Sequence, residues 1–393
     1  MLPRTAYSAQ FPWVELPQGP TTTDTYPQDC AASVDYRRAA VRFADPNSND
    51  AVVSVFQLNT PAPTPPLPLA SLFTFGGGGL RSGEQTNVFS ASGYKPSDRV
   101  EVTNAWGVSI GTGISSLGFA PDETYIEIFD VDAPAAGDIV QFVVTPTLAG
   151  YNTDRAGFTH DLAITRDSKW AVANSENWIH LVRLIDSTTT PPTVAYTGFN
   201  IGANLAGPCN PNGAVDSVAV TNERAVITTA RPSAALLGLP VTWVYIVDLT
   251  PTTGPVVVLE HELAPPVGFE PTDEDDGEHP HDVAITPTRD GGGTLAVVTT
   301  NHATAFYDLT TNSFVTRDFN PDFRRSYQQQ VDSVELTGKT AVTIADFVSS
   351  GVPKKWAVRI YEWYGVPHRG GLRRRQSAGG RQPSARSRHR LGL

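Results

Sequence analysis

Residues 215–230 read VDSVAVTNERAVITTA, and residues 331–346 read VDSVELTGKTAVTIAD. Each stretch consists of a short run rich in β-branched residues, a turn, and a second run of the same kind. A phrase that recurs along a chain is typical of repeat architectures, in which one supersecondary unit is copied several times. The repeated phrase therefore predicts a chain built from copies of a small antiparallel unit.

Alignment on the aspartate of this phrase reveals six copies. A third β-rich run follows in every copy, and several of these runs end in Asp. A fourth and more variable run occurs in five copies, at residues 69–75, 138–144, 193–199, 255–263 and 313–319. The copies follow one another at intervals of about 50 to 70 residues and begin at Asp29, Asp98, Asp161, Asp216, Asp282 and Asp332.

Four antiparallel strands per copy, present six times, predict an all-β fold, a β-propeller with six or seven four-stranded blades. A single sheet cannot cover its two apolar faces, whereas a sheet stacked between two like sheets buries both. Runs such as VTWVYIVDL at residues 241–249 are apolar almost throughout, as expected of strands that are covered on both sides. The single Met and the spread of 33 Gly and 32 Pro also argue against long helices.

The sixth copy has no recognisable fourth run, because the sequence after residue 364 becomes rich in Arg, Gly and Ser. Either FPWVEL at residues 11–16 pairs with the sixth blade and closes the ring, which we favour, or a seventh blade has been lost. The predicted organisation is an N-terminal segment with a candidate ring-closing strand (1–28), a β-propeller (29–364) and a disordered basic tail (365–393).

The basic tail has no hydrophobic periodicity, so it cannot bury a core and is predicted to be disordered. Its abrupt start in the middle of a blade favours altered reading of a GC-rich message. A solvated linker and a segment that binds polyanions are the alternatives.

The charge distribution bears on the partners of the chain. The net charge is −11, but eight Arg residues lie in the tail, so residues 1–368 carry −19. Binding to nucleic acid needs a basic surface, and the propeller body is therefore not expected to bind it. No apolar stretch is long enough to span a membrane. We expect a monomer.

The sequence does not determine the cellular compartment of the chain. The composition favours an extracellular or periplasmic location, although this chain shows no signal peptide. The two cysteines, Cys30 and Cys209, are far apart and are compatible either with a disulfide or with two buried thiols.

Two copies resemble the repeats of YVTN-type β-propellers, a group that includes lactonase-like and surface-layer-type proteins. The likeness is strongest in HDLAITRDSKWAVANSENWIHLVRLID at residues 160–186 and in PHDVAITPTRDGGGTLAVVTTN at residues 280–301. Residues 171–174, AVAN, stand where the family has its Tyr-Val-Thr-Asn strand. The resemblance implies a propeller, commonly with seven blades.

The first strand of a propeller blade lines the central channel, so residues at its start are expected near one channel mouth. The recurring aspartates could hold a cation there, or they could accept hydrogen bonds from backbone amides of the preceding turn. His160 and His281 precede two of these aspartates, where other copies have Val, and are candidate ligands or general bases, or else structural histidines. The candidate binding residues at the mouth are His160, Asp161, Asp216, His281, Asp282 and Asp332.

A second candidate site is the acidic segment EPTDEDDGEHPHD at residues 270–282. Its Asp-x-Asp-x-Gly spacing is typical of a tight Ca²⁺ loop, but no Glu stands at the twelfth position, so it is not an EF-hand. The histidines favour a transition metal instead. A solvated acidic loop is the alternative. The candidate metal ligands are Asp273, Asp275, Glu278, His279 and His281.

Signatures of catalysis are missing from the sequence. It has no Gly-x-Ser-x-Gly nucleophile elbow, no P-loop and no Cys-x-x-Cys-His haem attachment motif. We therefore predict a non-catalytic binding scaffold that recognises a protein, glycan or surface partner through its loops, and we assign no catalytic residue. The alternative is a lactonase-like or metal-dependent hydrolase with its site at the channel mouth.

Overall fold

The computed structural model describes residues 26–33, 38–45, 50–58, 83–92, 98–113, 123–131, 139–144, 159–175, 178–201, 217–232, 240–264, 280–286, 293–300, 303–319, 328–337, 340–348, 355–362 and 373–376. Regular structure in these residues consists of 24 β-strands, without a helix. No helix that is long and apolar enough to cross a membrane occurs within these ranges.

The first three sheets contain the strands β1 (Tyr26–Ala32), β2 (Arg38–Asp45), β3 (Asp50–Leu58), β4 (Gly83–Ser92), β5 (Arg99–Val102), β6 (Trp106–Gly113), β7 (Glu123–Asp130), β8 (Val140–Val144), β9 (Thr159–Ile164), β10 (Trp170–Ser175), β11 (Trp178–Asp186) and β12 (Thr193–Asn200). The other three contain β13 (Val218–Val220), β14 (Arg224–Pro232), β15 (Pro240–Asp248), β16 (Val256–Leu263), β17 (Pro280–Ile285), β18 (Leu295–Thr300), β19 (Ala303–Asp308), β20 (Ser313–Phe319), β21 (Gln328–Thr337), β22 (Thr340–Val348), β23 (Lys355–Glu362) and β24 (Arg373–Gln376).

Each sheet is built from four consecutive strands that lie side by side in chain order and pair antiparallel with their neighbours. The described part of the chain contains six such sheets. Six four-stranded meanders in succession are the blades of a β-propeller. The predicted fold class, an all-β propeller of four-stranded antiparallel blades, is therefore confirmed.

The chain divides into two compact units. The first comprises Met1–Ile114, Glu123–Val144 and Leu184–Val194 and contains the first and second sheets. The second comprises Ser115–Asp122, Thr145–Arg183 and Ala195–Leu393 and contains the fourth, fifth and sixth sheets with most of the third.

The core of the second unit lies between neighbouring sheets, and strand β15 shows how it is made. Tyr245 and Val247 of this strand are buried in a cluster with the third sheet, which contributes Leu181. Val244 and Ile246 alternate with them and are buried in a cluster with the fifth sheet. Because successive side chains of a strand point to opposite sides, a strand between two sheets must be apolar at every position. This explains why the run is apolar almost throughout.

A serine or threonine closes the turn between the first and second strands of a blade. Its side-chain oxygen accepts a hydrogen bond from the backbone N–H of the residue that begins the second strand, so a donor that the turn would leave unpaired is satisfied. The pairs are Ser33 with Arg38 (2.9 Å), Thr103 with Trp106 (3.0 Å), Thr165 with Trp170 (3.0 Å), Thr221 with Arg224 (3.0 Å) and Thr286 with Leu295 (3.1 Å).

The Asp that ends several third strands opens the following hairpin. Its carboxylate accepts the backbone N–H two residues further on, which is the geometry of an Asx turn. The pairs are Asp186 with Thr188 (2.8 Å), Asp248 with Thr250 (2.9 Å) and Asp308 with Thr310 (2.8 Å).

Two predictions about outer strands are wrong. The fourth strand of the first sheet is β4 at Gly83–Ser92, not residues 69–75, which lie outside the described residues. The sixth sheet does have a fourth strand, β24, and Arg373–Gln376 therefore belongs to a blade although the sequence assigned it to a disordered tail. An outer strand needs only its backbone to pair along one edge, so hydropathy locates it poorly. Residues 11–16, the candidate ring-closing strand, also lie outside the described residues.

Replacing Thr165 with Val should lower the free energy of unfolding by about 1 to 3 kcal/mol, because the buried N–H of Trp170 loses its acceptor. Urea denaturation of the purified chain measures this change. Thr197→Val, at an exposed position of β12, is the matched control and should shift stability by no more than about 0.5 kcal/mol. Equal effects of the two substitutions would contradict the role of the turn threonine.

Candidate site at the strand entries

The aspartates at the strand entries join one sheet to the next. The carboxylate accepts the backbone N–H of a residue in the first strand of the following blade, two positions after the aspartate of that copy. We call this contact the strand-entry clasp. It links Asp29 to Val100 (2.9 Å) in the first unit, and Asp161 to Val218 (2.7 Å) and Asp282 to Val334 (2.9 Å) in the second.

The clasp is a charge-assisted hydrogen bond in a partly dehydrated environment. Such bonds are stronger than those between neutral groups, and they are less screened when water is excluded. Burial raises the pKa of Asp29, although its hydrogen bond from Val100 and the charges of Arg99 and Arg42 act in the opposite direction. Asp29, Asp161 and Asp282 thus accept backbone hydrogen bonds whose donors belong to the next blade, whereas the sequence predicted donors in the preceding turn.

Two of the predicted carboxylates meet at one hydroxyl group in the second unit. The Ser217 Oγ atom lies 3.2 Å from Asp161 Oδ2 and 3.4 Å from Asp282 Oδ1. A hydroxyl has one hydrogen, so Ser217 donates to one carboxylate at a time. The N–H of Ser217 donates to Thr228 Oγ1 at 3.1 Å, which holds the residue in place.

The other predicted residues are placed as follows. His160 in β9 and His281 in β17 are both half-buried and occupy the same position in their strands. Asp332 lies in β21, and only its backbone is described. The structure does not describe Asp216, Asp273, Asp275, Glu278 and His279, so their proposed roles stay predictions.

Metal ligation is not visible in the described ranges, where no group of three or more His, Cys, Asp or Glu side chains could hold a metal ion. The predicted acidic loop lies outside those ranges. Cys30 is an exposed free thiol, and Cys209 is not among the described residues.

Asp98 has a different role from the other described aspartates, because it is fully buried against an arginine. Its Oδ2 atom lies 3.3 Å from Arg42 Nη2, and its Oδ1 atom accepts the N–H of Thr112 at 2.9 Å. Arg42 also donates to Gln28 and Ser109. The sequence analysis did not predict this ion pair. The position of Arg42 within the apolar run of β2 could have indicated that this side chain is buried with a partner.

A second network missed by the sequence analysis resembles a nucleophile, a base and an orienting group. Ser175 Oγ lies 2.9 Å from His180 Nε2, and Tyr196 Oη lies 3.0 Å from His180 Nδ1. Ser175 and His180 are buried, however, and this burial lowers the pKa of His180 to about 3. An imidazole that resists protonation is a poor general base at neutral pH, so the network stabilises the third sheet. The three residues lie on separate strands, and nothing in the sequence links them.

The chain matches no protein-family model and no curated protein in sequence. Among solved structures it is similar to a candidate 6-phosphogluconolactonase from Bacteroides uniformis (10% identity, 88% of this chain, 83% of the other, TM-score 0.49). It is also similar to Hsv2 of Kluyveromyces lactis (10%, 88%, 77%, 0.43) and to a hypothetical selenium-binding protein of Sulfolobus tokodaii (12%, 89%, 79%, 0.44). Likenesses this distant identify neither a family nor an activity, and the resemblance to YVTN-type repeats stays a prediction.

Replacing Asp161 or Asp282 with Asn should lower the free energy of unfolding by about 1 to 3 kcal/mol, because the N–H of Val218 or Val334 loses a charged acceptor. Urea denaturation at pH 7 measures the change. Glu335→Gln removes the same charge from an exposed side chain and serves as the control. If both aspartate variants were as stable as this control, the clasp would not hold the sheets together.

The free energy of unfolding should fall as the pH is lowered from about 6.5 to about 3. In this range His180 takes up a proton in the unfolded state, whereas burial keeps it neutral in the folded state. The effect reaches at most about 1.4 kcal/mol per pH unit. Urea denaturation across this pH range should show a shallower decline for His180→Gln than for the wild type. Tyr196→Phe keeps the histidine and should keep the steeper decline. Parallel curves for wild type and His180→Gln would refute this contribution.

Proposed function

We propose that the chain is a non-catalytic binding scaffold that recognises a protein or glycan through the segments connecting its blades. The strand-entry clasp is the observation that supports this proposal. The carboxylates of Asp161 and Asp282, which were candidate ligands, accept backbone hydrogen bonds that join sheets. Because these carboxylates hold neighbouring sheets together, we expect the residues that recognise a partner to lie outside the strands.

The topology supports a recognition surface at the clasped ends of the sheets. In a four-stranded meander the fourth strand ends where the next first strand begins, so the connecting segments leave from the strand entries. In the second unit these segments are residues 201–217, 264–279 and 320–327. They differ in length and sequence while their anchor points are held by the clasps. Variable segments on a rigid framework are the common location of binding residues.

Charge limits the kind of partner. Residues 1–368 carry a net charge of −19, so a strongly acidic partner would be repelled. A neutral glycan or a protein surface with basic character fits this body better.

A hydrolase at the strand entries is the second candidate, either lactonase-like or metal-dependent. The convergence of Asp161 and Asp282 on the Ser217 hydroxyl favours it, because two carboxylates beside a hydroxyl can take part in acid–base chemistry or bind a cation. Each carboxylate already accepts a backbone N–H, however, and this weakens both roles.

Binding can be tested by applying the full chain to arrays of defined glycans and of extracellular proteins. A variant in which residues 265–279 are replaced by a Gly/Ser linker of equal length should keep its melting temperature within a few degrees, because the clasps lie elsewhere. It should lose the partner that the wild type binds. Unchanged binding by this variant, or no partner on either array, would count against the scaffold.

The hydrolase alternative calls for metal analysis of the purified chain and assays against lactones and phosphoesters. We expect no stoichiometric metal and no turnover. Turnover that disappears in folded Asp161→Asn and Asp282→Asn variants, but persists in Glu335→Gln, would replace the scaffold proposal with the hydrolase.

A further inference from the structure

The fourth sheet carries a histidine on the side where it packs against the fifth. His261 of β16 lies opposite Val244 of β15 in the strand register. Residues directly opposite one another share a side of the sheet, and Val244 is buried in the cluster that the fourth sheet forms with the fifth. The half-buried side chain of His261 therefore faces the fifth sheet.

Two aromatic residues of the fifth sheet contact this imidazole. Its Nδ1 atom lies 2.9 Å from the hydroxyl oxygen of Tyr307 in β19, and the two rings meet edge to face with 5.7 Å between their centroids. The centroid of the Phe314 ring in β20 lies 4.8 Å from that of the imidazole. Tyr307 is fully buried, so these contacts exclude water from one side of the histidine.

An arginine on the same side of the fifth sheet holds the end of β16. Ala305 and Tyr307 alternate in β19 and share a side, and Arg317 of β20 pairs with Ala305. The guanidinium of Arg317 donates to the backbone carbonyl of Ala264, the residue that follows β16. Histidine and arginine thus act at the same junction between the last strands of two neighbouring sheets.

The groups around His261 disfavour its protonation. Arg317 and Tyr307 are the charged and titratable groups that face it from the described residues of the fifth sheet, and burial raises the pKa of Tyr307, which keeps that hydroxyl neutral. The residues beside His261 on its own sheet are apolar, namely Val244, Leu259 and Leu263. Desolvation lowers the pKa of His261, the charge of Arg317 lowers it further, and the smaller effect of Glu262 acts in the opposite direction.

Protonation is therefore linked to the separation of the two strands. The ordinary pKa of histidine is about 6.5. When β16 moves away from the fifth sheet, the imidazole returns to water and takes up a proton below that pH, whereas the packed imidazole resists protonation. The form that binds more protons gains population as the pH falls, so acid favours the separated form. An outer strand can separate locally, because different parts of a fold open independently.

We propose that His261 makes the contact between the last strands of the fourth and fifth blades acid-sensitive, so that β16 separates from the fifth sheet more often as the pH falls below about 6.5. The connecting segment 264–279 begins at Ala264, so the same separation should weaken partner binding in acid. This consequence for binding rests on the function proposed above, whereas the separation itself does not.

Hydrogen exchange of the full chain, followed by mass spectrometry between pH 7.5 and pH 5.5, tests the separation without any partner. After correction for the intrinsic pH dependence of exchange, the opening of β16 should increase about threefold over this range. His261→Gln keeps a polar side chain that does not titrate, and it should abolish the increase. His180→Gln removes the other histidine whose pKa is lowered, and it should leave the increase intact.

A direct titration of the ring keeps the test independent of how well the variants fold. The Cε1 proton of His261 can be assigned in the wild type through its proximity to the ring protons of Tyr307 and Phe314. Its resonance should titrate with a midpoint below pH 6.5. A midpoint at or above that value would mean that the aromatic contacts stabilise the imidazolium, and it would overturn the proposal.

Two results of the exchange experiment would also overturn the proposal. They are an opening of β16 that does not change with pH and an increase of the same size in His261→Gln. If a partner found on the arrays binds equally well at pH 7.5 and pH 5.5 while β16 opens in acid, only the link to recognition is wrong. If the arrays reveal no partner, the scaffold fails, and the exchange experiment still decides whether the acid-sensitive contact exists.

Discussion

The hydrogen bond from a backbone N–H of one blade to an aspartate of the preceding blade is the contact on which this architecture depends. A four-stranded sheet has two apolar faces, and burial against its neighbours supplies most of the driving force but little directional information. The clasps from Asp161 to Val218 and from Asp282 to Val334 supply the direction, since each sets one strand at a fixed position relative to the next sheet. The same geometry occurs from Asp29 to Val100 in the first unit.

The clasp also explains the repeated phrase. In the fourth copy, the amide of Val218 is bound by the preceding blade, while its side chain is buried in the core between the third and fourth sheets. Thr221 then closes the turn to the second strand. Spacing and residue type are thus constrained together at the start and in the middle of the phrase. Segments outside these constraints, such as the outer strands, vary freely.

Residues of types that are common in active sites mostly have structural roles in this chain. Burial keeps His180 neutral, so its contact with Ser175 joins strands and does not activate a nucleophile.

The sequence by itself determined the number of copies, the inner three strands of each blade and the positions of the recurring aspartates, because these follow from local periodicity and turn chemistry. It did not locate β4 or β24, since an outer strand is held by backbone pairing that leaves little trace in composition. Only the tertiary structure decided what the aspartates bind, and which side chains meet at Arg42 and His180. Those contacts join residues of different strands, and sheet register brings them together.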